Sequence, residues 1–166
     1  MVPMFLALLY NPTKTNLTYI GIHKNGSGTI GPTRELIRGS IHTCANYSKL
    51  MNFNMQYCNS MTGDIAIAFA NCYKLDAILI NHASFINGTS IGDTSDKIYG
   101  DIAVFADKYN AEFIASVRWS GIYGEAKSLK NLKKLSWFEF RSCNVTGSKT
   151  DLYNGGVNIT EFDIGV

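Results

Sequence analysis

Three residues of this 166-residue chain are best suited to covalent chemistry: His23, His82 and Cys143. A thiol attacks as its thiolate, and at neutral pH it needs an adjacent imidazole to form one. Each of the three closes a run of apolar residues that reads as a strand, which would present it at a sheet edge. Around them stand groups able to hold a ligand: Lys24 and Asn25 after His23, Asn81 and Ser84 on either side of His82, Arg141 just before Cys143, and Arg118 at the end of a further run. The set reads as a small hydrolase-type enzyme, with His82 or His23 as the base for Cys143 and a small molecule or peptide as substrate. The cysteines, Cys44, Cys58, Cys72 and Cys143, show no Cys-x-x-Cys spacing, so no metal centre is expected, and no cofactor either.

Two related loops suggest a second chemistry. "NGSGTIGPT" (25–33) and "NGTSIGDT" (87–94) share a pattern that continues to Ile41 and Ile102. A glycine-bearing turn ahead of a helix can bind an anion through free N–H groups, with Lys24 and Arg34 nearby. Gly26, Gly28 and Gly31 satisfy the bare Gly-x-Gly-x-x-Gly spacing. However, Pro32 follows them, and the next strand ends in Cys58 where a dinucleotide site needs an acid. A tight turn that requires glycine is the simpler account of both loops.

The elements that position these residues alternate. Apolar runs at 18–23, 53–58, 76–82, 111–119 and 137–143 read as buried strands. Between them, patterns over 33–50, 62–74, 95–109 and 124–135 read as helices. Ile98, Ile102, Phe105, Ala106 and Tyr109, for example, follow i, i+4, i+7, i+8 and i+11. Strand and helix in alternation predict a single α/β domain over 1–166, a three-layer sandwich with a mostly parallel sheet of five or six strands. Residues 144–166 carry the Gly/Asn/Asp punctuation of a C-terminal hairpin or wrapping tail. In such a sheet, ligands bind beyond the carboxyl ends of the strands, where the residues named above fall.

Two segments carry a family resemblance. "DAILINHASF" resembles the histidine strand of caspase-like cysteine peptidases, and "WFEFRSCNVTG" is similar to the strand and loop that hold their nucleophile. The resemblance implies an α/β fold with His82 and Cys143 as a dyad, although Ala83 stands where those histidines are usually followed by glycine. In another register "YIGIHKNGSG" resembles the histidine strand and the segment from Ile78 resembles the cysteine strand. Asn81 or His82 then takes the nucleophile's place and the site is inactive. A third likeness, of "AEFIASVRWSGIYGEAKSL" to restriction-endonuclease-like folds, implies a metal-dependent nuclease using Glu112, Glu125 and Lys127. Against the enzyme readings stands a non-catalytic ligand-binding or assembly module of the same fold.

Composition narrows the partners. A net charge of +2 gives no reason to expect nucleic acid, and Lys127, Lys130, Lys133 and Lys134 recur as a solvated helix face would. No apolar run reaches the length of a membrane span. Hydrophobic residues at 46% and charged residues at 17% suit a folded core under a fairly neutral surface, which leaves assembly of identical copies open. Unpaired cysteines and the lack of a signal-peptide pattern in "MVPMFLALLY" point to the cytoplasm. Sequons at Asn16, Asn25, Asn46, Asn87, Asn144 and Asn158 make secretion the minor alternative.

Overall fold

The computed structural model describes residues 16–22, 38–56, 60–81, 84–86, 89–91, 95–153 and 155–165. The chain visits two parallel sheets in turn. The first holds β1 (Tyr19–Ile22), β3 (Asn52–Gln56), β5 (Ala77–Asn81), β9 (Phe113–Val117), β11 (Trp137–Arg141) and β13 (Glu161–Asp163), stacked in that order. The second holds β2 (Arg38–Ser40), β4 (Ser60–Asp64), β8 (Ser95–Asp101), β10 (Trp119–Glu125) and β12 (Asn144–Thr146), also stacked in chain order. β6 (Ser84–Ile86) and β7 (Thr89–Ile91) form a separate antiparallel pair. The parallel sheet expected from the sequence is present with six strands, and all five expected strand segments belong to it.

Strands that alternate between two sheets, each stacking on the one a coil earlier, make a parallel solenoid. The core is built as ladders. Phe53, Ile78, Ile114 and Phe138 are register partners in the first sheet, with Met55, Ile80, Ser116 and Phe140 beside them, and all are buried. Ile41, Ile65, Ile102 and Ala126, each the first residue past a strand of the second sheet, are buried as well. Strand alternation puts the intervening residues of the first sheet on its outer face, although Ala115 and Val117 of β9 are buried there.

Residues expected to form long helices turn corners instead. Over 95–109 the chain runs as β8 and then a single 3-10 helix, Ile102–Phe105. Over 33–50 the described residues are β2 and the 3-10 helix Ile41–Asn46. The segments 62–74 and 124–135 begin in β4 and β10, and their helical parts are only the α-helix Ile65–Phe69 and the 3-10 helix Ala126–Leu129. The apolar spacing was real, since Ile98, Ile102 and Phe105 are all buried. It arises because the chain bends between Ile98 and Ile102, at Gly100, whose φ is 126°. Gly39, Gly63, Gly124 and Gly147 repeat this positive φ at the same point of their coils. Ser40, Asp64 and Asp101 follow three of these glycines and accept from the backbone N–H two residues on, at 3.1, 2.7 and 2.9 Å, capping the turn.

The described residues of 144–166, a segment read as a hairpin or tail, supply a further coil. β12 pairs parallel to β10, the helix Lys149–Tyr153 follows, and β13 pairs parallel to β11. One core position departs from its neighbours. Lys108 is 1% exposed, with Nζ 3.3 Å from the Ala70 carbonyl, 2.6 Å from Asp107 and 4.6 Å from the centre of the Tyr73 ring. Among the described residues no helix is long and apolar enough to cross a membrane.

Candidate functional site

Four of the residues singled out from the sequence, Asn81, Arg118, Arg141 and Cys143, stand at the carboxyl ends of the neighbouring strands β5, β9 and β11. Asn81, Val117 and Arg141 are register partners. Arg118 and Ser142 follow their strands with φ of 63° and 51°. The Arg118 N–H donates to the Arg141 carbonyl at 2.8 Å, so the two turns are stacked. Ser84 opens β6. His23, Lys24, Asn25 and His82 lie outside the described residues, as do most of the two glycine-bearing loops.

Cys143 is tied to the scaffold. Its Sγ lies 3.6 Å from the Ser116 carbonyl, 3.7 Å from Ser116 Oγ and 3.5 Å from the Arg141 carbonyl, while Ser116 Oγ donates to the Ile80 carbonyl at 3.2 Å. These contacts run from β11 through β9 to β5 along the rim. Burial pushes the Cys143 thiol above its ordinary value, and hydrogen bonds from Ser116, Trp119 and Arg118 pull less strongly the other way. Burial also raises Cys72, to about 11, and Cys44 further still.

The acids of the nuclease reading are on different sheets. Glu112 precedes β9 in the first, whereas Glu125 closes β10 in the second and forms an ion pair with Lys127. No group of three or more His, Cys, Asp or Glu side chains among the described residues could hold a metal ion. Half-buried His42 accepts a hydrogen bond through Nε2 from the Asp64 N–H at 2.8 Å.

The outer face of the first sheet gathers more chemistry than any single rim residue. Across it, Tyr19, Asn52, Ala77, Phe113, Trp137 and Glu161 form one register row, and Gly21, Asn54, Leu79, Ala115, Glu139 and Asp163 the next. Phe113 and Trp137 stack with ring centres 5.3 Å apart. Trp137 Nε1 donates to Glu139 at 3.1 Å, and Arg141 Nε lies 2.9 Å from Glu139 and 2.7 Å from Asp163. At the other end Gln56 donates to Asn54 at 3.1 Å. The amino edge of this face borders a cavity of about 410 Å³ lined by Met51, Lys74, Asp76, Asn110, Glu112 and Lys134.

Sequence reasoning named Arg141 and Asn81 on this face but missed Glu139, Glu161 and Asp163. Alternation within "WFEFR" places Trp137, Glu139 and Arg141 on one side and was the signal available. No known protein family matches the chain, and neither curated proteins nor solved structures give a match.

Proposed function

We propose that the protein is a non-catalytic binding module that takes an extended ligand across the outer face of the six-stranded sheet. The observation that carries this reading is the register of that face. Partly exposed Asn52, Asn54, Gln56, Leu79, Trp137 and Glu139 stand in rows on neighbouring strands, with apolar side chains flanked by amides and carboxylates. A stack of coils offers such rows at the strand spacing of about 4.8 Å, and an extended ligand can contact several coils at once. The hydrolase reading asks Cys143 to ionise near neutral pH. Its burial and its contacts with the scaffold weigh for a thiol that ties coils together.

The test is a screen of immobilised peptides and glycans with the wild-type chain and with Leu79→Arg and Asn54→Arg, each variant checked by circular dichroism. Binding that falls at least tenfold in both variants is expected. Binding indifferent to both substitutions, or turnover of a fluorogenic ester or peptide that Cys143→Ala abolishes, would overturn the proposal.

A further inference from the structure

We infer that the occupant of this face is a basic, extended peptide, with an arginine or lysine side chain laid over Trp137 towards Glu161. The inference rests on the binding-module reading above and names its ligand class. The first observation is the charge of the face. It carries Glu139, Glu161 and Asp163 against Arg141 alone, and the bordering cavity adds Asp76 and Glu112 against Lys74 and Lys134. Face and cavity together are net acidic in a chain whose net charge is +2. A cationic partner is therefore drawn here, and an anionic one is repelled.

The second observation is which polar groups are left without partners. Asn81 is only 8% exposed, shares the outward parity of Ala77 and Leu79, and has no hydrogen-bond partner for Oδ1 among the described residues. Asp76 Oδ1 is likewise buried without one. Among the described residues Glu161 has no ion-pair or side-chain hydrogen-bond partner, whereas Glu139 and Asp163 share Arg141. All three of these groups are acceptors, and the buried donor on the face, Arg141 Nε, already lies against Glu139 and Asp163. A buried acceptor without a donor is costly, so a ligand rich in N–H groups complements this face and an acceptor-rich one does not.

The third observation is geometric. Trp137 is the register partner of Glu161 and is stacked on Phe113. A cation above the indole would meet the ring face and a carboxylate on the adjoining strand together. Asn81 lies two strands away from Trp137 and four residues further along, roughly 16 Å by strand spacing and rise. An extended peptide of about five residues is long enough for that distance.

Fluorescein-labelled hexaarginine, hexaglutamine and hexaglutamate, followed by anisotropy at low and high salt, test the inference, with a neutral hexasaccharide as competitor. Hexaarginine alone should bind. Its affinity should fall at least fivefold in Glu161→Gln, which keeps the side chain's shape, and at least tenfold in Trp137→Ala. In Trp119→Phe, where Trp137 is the only tryptophan, caesium should quench fluorescence more than iodide does. Absence of hexaarginine binding, equal binding of hexaglutamine, displacement by the neutral glycan, or indifference to Glu161→Gln would each overturn the inference. If Leu79→Arg still abolishes binding of other probes, the binding face stands and only its ligand class falls.

Discussion

Gly100→Ala should be among the most damaging single-methyl additions the chain can receive. The φ of 126° at this corner lies outside the basins open to L-residues, a strain worth about 1–3 kcal/mol. A Cβ built here also meets Asp64 Oδ1 and comes within 2.8 Å of Ile65 Cγ1. Ile65 is fully buried and has little room to withdraw. Asp64 can move only by releasing the Ala66 N–H that it caps at 2.7 Å, a loss of about 1 kcal/mol. Allowing the strain and the clash to relax together, the expected destabilisation is about 3–5 kcal/mol. With a urea m-value of about 2 kcal/mol/M, the unfolding midpoint should fall by about 2 M at unchanged slope. Gly156→Ala is the control. Its φ is 77°, the nearest atom to a new Cβ is Lys133 Nζ at 3.4 Å, and its cost should be about 1–2 kcal/mol. Equal losses in the two variants, or a loss below about 1 kcal/mol at Gly100, would refute the account of the corner.

The thiols give a pH prediction. A folded-state pKa raised above the unfolded value favours the native state below the unfolded pKa, and that contribution is lost as pH rises. Cys72, raised from 9.0 to about 11, should therefore make stability decline across that window, and Cys72→Ala should flatten the decline in urea titrations at pH 8 to 11. By the same reasoning, iodoacetamide should label Cys143 at pH 7.5 more slowly than it labels free cysteine. At Lys108, replacement by leucine, the residue found at position 132 one coil on, should change the melting temperature little or raise it. Lys108→Ala, which leaves an unfilled core position, should lower it by several degrees.

The six-stranded sheet was legible because its strands are short, nearly continuous apolar runs such as "AILIN" and "FIASV", which few other structures explain. The connecting layer was not. An apolar i, i+4, i+7 spacing across Ile98, Ile102 and Phe105 is the mark of a helix unless a residue between them turns the chain, and Gly100 does that with a φ that composition does not reveal. The rim residues Asn81, Arg118, Arg141 and Cys143 could be found because strand ends collect polar groups. Glu161 and Asp163 could not, because they join the face only through the pairing of β13 with β11, and that register depends on contacts distant in sequence.

A stack of similar coils has an ambiguity that a globular core lacks, because each coil could settle against the wrong neighbour and still bury its apolar ladder. Lys108 makes the coils distinguishable. Its ammonium is accommodated where the Ala70 carbonyl and the Tyr73 ring meet it from the preceding coil and Asp107 from its own. A stack slipped by one coil would strand that charge among partners chosen for another position. The residue that interrupts the hydrophobic ladder thereby acts as an address, marking which coil lies beneath which.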